Sequence, residues 1–235
     1  MRGCVVAAVP DNVRVSNKGK DPLADLFHEH EGVLWMPGGT VVLIVENDPA
    51  RVEAALNDGL LACPHCAGEL RPWGWAKIRT LRRLDSTERL RPRRSCCASC
   101  KKTSVLLPDV TLVRRLDEAA VIGAAFLEHA GGAGQRKVAG LLGRARETVR
   151  GWLRRFAERA EALRVHFSAW AFALTARLHE LTPQASPLVA ALEAIGLATR
   201  AASTLLGPRS VWSWASAMTG GSLLAYTSSP FPRPR

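Results

Sequence analysis

Acidic residues are scarce in this chain: 21 Asp and Glu stand against 32 Lys and Arg, a formal net charge of +11, and no aspartate occurs after Asp117. Such an excess suits a polyanionic partner, and its placement says more than its total. Residues 1–62 run against the trend, with Arg2, Arg14, Lys18, Lys20 and Arg51 facing nine acids. Residues 63–102 hold eleven Lys/Arg against Glu69, Asp85 and Glu88, and residues 114–164 hold eleven against six. Two adjacent segments therefore carry the positive field, while 165–235 is sparsely charged.

A sustained apolar run is also missing. At the amino end only Cys4 to Val9 is apolar, with no clear cleavage site, so no secretory signal is read. Residues 210–232 carry no charge, but Ser, Thr, Gly and Pro interrupt them and Gly220-Gly221 divides them, so no membrane association is expected. The expected location is the cytoplasm, with the nucleoid. In that reducing compartment, clustered cysteines favour metal over disulfides.

The pattern predicts an α+β chain of several modules. Residues 1–35 show neither periodicity nor motif and are expected to be a poorly ordered extension, with Met36 a candidate for the true start. A strand over Thr40–Glu46 and a helix opened by Asp48-Pro49, with Val52, Ala55, Leu56 and Leu60 at helical spacing, form a lead-in over 36–62. Trp73–Leu84 and Glu88–Ser95 read as a hairpin turning at Asp85-Ser86, and Val105–Val113 as a strand or extended connector, within a module at 63–113. Asp117-Glu118 opens a helix that carries Val121, Ile122, Ala125 and Phe126 on one face.

Helices are expected to continue over 161–225. Leu163, Phe167, Trp170, Leu174, Leu178 and Leu181 form one stripe that ends at Thr182-Pro183, and a further helix spans Ser186 to Leu206 before Gly207-Pro208. The stripe is either a homodimer seam or a face packed on that next helix. Residues 226–235 are expected to be a disordered tail.

Cys63-Pro-His-Cys66 and Cys97-Ala-Ser-Cys100 carry the sharpest chemistry. Each Cys-x-x-Cys turn places two thiolates about one tetrahedral edge apart, and thirty residues, 67–96, separate the pairs. That spacing suits a zinc ribbon whose hairpin fills the gap, with structural Zn2+ held by Cys63, Cys66, Cys97 and Cys100. Cys96 would leave a three-residue spacer and is the poorer ligand; His65 is expected to face solvent. Gly68 and Lys101-Lys102 favour tight turns whose amides stabilise thiolates. Trp73 and Trp75 are expected to pack beside the metal.

Residues 114–160 fit a three-helix unit with a helix-turn-helix at Gln135–Trp152. Ala139 is small where the helices approach, Gly143 supplies a left-handed residue at the turn, and Val138, Leu142, Val149 and Trp152 are the apolar contacts. Arg146, Glu147, Arg150 and Arg154 then face outward, with Arg144 and Thr148 near the helix start placed to reach backbone phosphates. An ordinary helical hairpin with a solvated Arg face is the plainer alternative.

Leu61-Ala-Cys-Pro-His-Cys-Ala-Gly68, Leu70-Arg-Pro-Trp-Gly74, Leu90-Arg-Pro-Arg-Arg94, Val105-Leu-Leu-Pro108 and Thr148-Val-Arg-Gly-Trp-Leu-Arg-Arg155 resemble a family of high-GC bacterial proteins described as a domain of unknown function. More distantly, residues 40–160 are similar to the amino-terminal DNA-binding part of insertion-sequence transposases. The nuclease domain that follows in such transposases needs carboxylates for two metal ions. Fewer than eighty residues follow the second helix, and they contain no aspartate. The expectation is a sequence-specific binder of double-stranded DNA, not an enzyme, acting as a transcriptional regulator or beside transposition proteins. A degenerate transposase-derived enzyme and a zinc-ribbon module for RNA or protein are the alternatives.

Overall fold

The computed structural model describes residues 34–35, 41–175 and 186–225. Cys4, Met36, the Leu178–Pro183 end of the apolar stripe and the tail at 226–235 lie outside the described residues. The described fold is α+β, with seven strands in two small sheets and six helices.

The larger sheet has the order β1-β2-β7-β6-β3, from Leu34–Trp35, Val41–Val45, Thr103–Pro108, Arg93–Cys97 and Leu70–Trp75. Strand β1 thus lies at the end of the segment expected to lack order. β2 and β7 run parallel and the other pairings are antiparallel. The apolar run Val-Val-Leu-Ile-Val of β2 serves both faces: Val42 and Ile44 enter the larger core, Leu43 and Val45 a smaller one. A parallel partner requires a long crossover. Here that crossover is α1 (Pro49–Asn57) plus the whole cysteine segment, so the lead-in at 36–62 and the module at 63–113 share one sheet. The stretch around Val105 is a strand because buried amides and carbonyls need ladder partners on both sides.

Asp48 caps α1 as its sequence predicts, accepting from the Ala50 and Arg51 amides at 3.0 and 3.3 Å, with Pro49 in the first turn. The helix buries Val52, Ala55 and Leu56 against Leu61, Leu70, Leu106, Cys63 and Cys97, which makes the smaller core. β3 and β6 continue into a second ladder, β4 (Arg79–Arg82) with β5 (Thr87–Leu90), closed by an Arg83 N–H to Ser86 carbonyl bond of 2.9 Å at the expected turn. The ladder breaks beyond the bond from Ala76 N–H to the Pro92 carbonyl because Pro92 has no N–H to return.

Helices α2 (Ala119–Ala130), α3 (Gln135–Leu141) and α4 (Arg146–Leu174) follow. α4 is continuous for 29 residues, so structure runs through the boundary expected at 160/161. Buried Val149, Trp152, Phe156, Ala160, Leu163, Phe167 and Trp170 recur every three or four positions and make one stripe, widened by Leu153 and Ala171. Phe156 stacks on Phe126 of α2 at 4.1 Å. α5 (Pro187–Leu206) packs along α4 with Ala191, Ala194, Ile195, Ala198 and Ala202 buried. By length and composition α5 alone among the described helices could cross a membrane; 39% of its most apolar window is buried in the fold.

The uncharged segment after residue 210 is core material. α6 (Val211–Met218) and the turn behind it bury Trp212, Trp214, Met218, Leu223 and Leu224 between the sheet and α2. Gly123 makes room for it: a Cβ there would lie 1.9 Å from the Trp212 ring. Ser216 donates to the Thr111 carbonyl at 2.6 Å, and Val113 N–H to the Gly221 carbonyl at 2.9 Å.

Candidate metal centre and basic surface

The antiparallel register pairs Leu70 with Cys97, which sets the start of β3 beside the end of β6. The loop carrying Cys63 and Cys66 therefore meets the turn carrying Cys97 and Cys100, although thirty residues, 67–96, separate the pairs in sequence. The four sulfurs lie within 4.8 Å of one another, with Cys63 Sγ to Cys100 Sγ at 3.7 Å and Cys66 Sγ to Cys97 Sγ at 3.5 Å. Tetrahedral thiolates at the zinc–sulfur bond length would stand about 3.8 Å apart. The donor set thus fits a single metal ion, and no disulfide forms among the described cysteines.

The two turns are built alike. Ala67 N–H bonds the Cys63 carbonyl at 2.8 Å and Lys101 N–H the Cys97 carbonyl at 3.1 Å, with φ of +54° and +60° at Ala67 and Lys101. Gly68, expected to ease the turn, matters for another reason: a Cβ there would meet Ser99 Oγ at 2.5 Å and Cys97 Sγ at 3.2 Å. Amide N–H groups also reach sulfur, from Cys100 to Cys97 Sγ at 3.4 Å and from His65 to Cys63 Sγ at 3.5 Å. Backbone donation, first from Cys100 and then Ser99, holds the Cys97 thiol down at about 6, whereas burial pushes Cys63 up to about 12. A divalent cation among four such sulfurs would stabilise every thiolate at once. Cys96 turns its sulfur to the Lys101 carbonyl at 3.5 Å and stays outside the cluster, as does His65, whose Nδ1 is 3.3 Å from Lys102 Nζ.

Helices α3 and α4 meet across the turn at Gly143, whose φ is +59°. Val138, Ala139, Leu142, Val149 and Trp152 are all buried, and α2 packs against both helices. Arg146, Glu147, Arg150 and Arg154 are exposed and Thr148 is half-buried. Glu147 pairs with Arg150 at 2.5 Å, and Arg154 with Glu158 at 3.8 Å.

Arg144 departs from expectation. Its guanidinium turns inward, where Nε donates to Asp117 at 2.5 Å and Nη2 to the Arg83 carbonyl at 2.6 Å, leaving the side chain 10% exposed. The buried carboxylate of Asp117 outcompetes solvent for it and also accepts from Arg82 at 2.6 Å. Arg83 reaches Glu118 at 2.9 Å, and Arg82 forms a backbone bridge beside Asp117. The hairpin is thereby fastened to the helices by residues whose sequence signal was only that of a helix start. Trp73 and Trp75 also differ from expectation, being 61% and 51% exposed instead of packed beside the cysteines. Burial alternates along β3 so that Arg71, Trp73 and Trp75 share the exposed side, and a bulge between Pro72 and Gly74 shifts the pairing with β6 where Gly74 takes a φ of +118°.

No protein family, no curated protein and no solved structure matches this chain.

Proposed function

We propose that this chain is a sequence-specific DNA-binding protein with a structural zinc ribbon and a helix-turn-helix, acting as a transcriptional regulator or as an accessory factor of a mobile element. The observation that carries the reading is the pairing of the Gly143 turn with an α4 face of Arg146, Arg150 and Arg154, in a chain of net charge +11. In such an arrangement α4 enters the major groove, where guanidinium groups bind guanine edges or phosphates. Glu147 and Thr148 lie on the first turn, placed for a base edge and a backbone oxygen. Arg144 supports the turn from behind.

In this reading the zinc is closed in by Cys63, Cys66, Cys97 and Cys100, leaving no open coordination position for catalysis. The metal's contribution is order in the β3–β6 ladder, and through it in the hairpin beside the helices.

Fluorescence anisotropy on selected genomic duplexes across a salt series tests the proposal. Duplex affinity should fall with salt by about 0.9 log unit per log unit for each phosphate contacted, and Arg154→Ala should flatten that slope. Arg150→Ala should weaken binding and change the preferred sequence by about 1–3 kcal/mol at one base pair. Tighter binding to single-stranded RNA than to any duplex, or duplex binding insensitive to salt, would overturn the reading.

A further inference from the structure

Resting on the DNA-binding reading, we propose that Trp73 and Trp75 on the edge strand β3 form a second contact, a stacking surface for unpaired bases in a strand that continues from the duplex held by α4. Large aromatic rings exposed by more than half on a small sheet are unusual for a structural role. Ile78 is half exposed beside them in sequence. The bulge at Trp73 and the left-handed Gly74 re-aim the edge strand at this point. A Cβ on Gly74 would meet nothing within 4 Å, so the backbone conformation of the bulge and not crowding calls for glycine, and the space beside the rings is open.

The charge around the rings selects the occupant. Lys77 and Arg91 are exposed in the two connections between the ladders and Arg89 is exposed on β5. The Arg91 and Arg93 guanidinium groups stand 5.7 and 4.9 Å from the Trp75 ring centroid, Arg93 being held there by its ion pair with Glu53 at 2.8 Å. A protein partner for this surface would need matching acidic groups, whereas a nucleic-acid strand offers a π face to each ring and phosphates to the exposed Lys77, Arg89 and Arg91. A paired duplex cannot do this, since its bases are already stacked.

Distance permits one continuous ligand. Trp75 is eight residues from Arg83, whose carbonyl accepts from Arg144 at the start of α4. Eight residues of extended chain reach at most roughly 29 Å, about the rise of eight base pairs.

The test compares a blunt duplex, the same duplex with a single-stranded extension of about ten nucleotides, and the single strand alone, by fluorescence anisotropy. The extension should tighten binding. Trp73→Ala and Trp75→Ala should each weaken binding of the extended duplex, by about 5- to 150-fold, and leave the blunt duplex unchanged. Trp73→Phe and Trp75→Phe should keep most of the affinity, which a loss of folding would not. The proposal is overturned if the extension adds nothing, or if the alanine variants bind it as the parent does. Binding of the single strand and of the extended duplex, with none of the blunt duplex, would sustain the stacking surface while sinking the helix-turn-helix reading. Failure of all three ligands would sink both.

Discussion

Asp117→Ala should reveal how the hairpin and the helices are joined. The carboxylate is 3% exposed and accepts from Arg144 at 2.5 Å and from Arg82 at 2.6 Å. Removing one partner of a buried ion pair typically costs 3–5 kcal/mol, because the remaining charge loses both its partner and its water. The two arginines contribute unequally. Arg82 is 38% exposed and can rehydrate, so its share is screened, whereas Arg144 is 10% exposed and would be stranded. The low end of the range, about 3 kcal/mol, is therefore expected, with Tm lowered by roughly 6–12 °C for a chain of this size. Urea and thermal unfolding followed by circular dichroism would measure it. A cycle with Arg144→Ala should show the double variant little worse than either single one, a coupling on the order of 2 kcal/mol. Strict additivity, or a loss below about 0.5 kcal/mol, would refute the argument that this carboxylate joins the two parts.

Cys63→Ser should lose the bound metal by elemental analysis together with the β3–β6 ladder by circular dichroism, since structural zinc contributes on the order of 10 kcal/mol to small modules; one zinc per chain retained after loss of both Cys63 and Cys97 would remove the site. Gly143→Ala should cost about 1–2 kcal/mol, because φ is +59° but the space is open, whereas Gly123→Ala should cost more by driving a Cβ into the Trp212 ring. Equal urea midpoints for the two variants would contradict that ranking. Burial holds the His166 imidazole down at about 4 from an ordinary 6.5, with Nε2 2.9 Å from the Met218 carbonyl. Below 6.5 the unfolded chain takes up a proton that the folded one refuses, so stability present at neutral pH is lost on acidification. The slope approaches about 1.4 kcal/mol per pH unit between those two values. His166→Gln should remove that component from the pH dependence of unfolding.

What could be read in advance was local. A Cys-x-x-Cys pair states its chemistry within four residues, so Cys97 could be chosen over Cys96 by spacing alone, and the cluster contains Cys97. The Asp48-Pro49 cap, the turn at Asp85-Ser86 and the left-handed Gly143 are likewise short-range requirements, and each is met. Pairings set by distant segments were not legible. Nothing near Val41–Val45 names Thr103–Pro108 as its parallel neighbour, and the length of α4 was hidden by the charged residues between Arg154 and Arg164. Asp117 resembled an ordinary helix opener because its two arginines, Arg82 and Arg144, lie 35 and 27 residues away. The segment after Ser210 has no period because it is buried nearly all round, and periodicity reports only faces that differ.

The hairpin β4–β5 is held at both ends, and this links the cysteines to the helices. At its root the hairpin leaves from the Trp75–Arg93 end of the β3–β6 ladder, whose other end, Leu70–Cys97, meets the two cysteine turns, so a metal held there would order the hairpin through the ladder between them. At its tip Arg82 and Arg83 bind Asp117 and Glu118, and the Arg83 carbonyl receives Arg144, one residue after the Gly143 turn. A lesion at either end therefore has a distinct signature. Loss of the cysteines should disorder the root and release the tip with it, whereas Asp117→Ala should free the start of α4 while the metal stays bound. If α4 reads DNA, the second lesion should weaken specific binding more than nonspecific binding. Phosphate attraction survives a loosened helix start, but base contacts need Arg146 and Arg150 held in register with the groove.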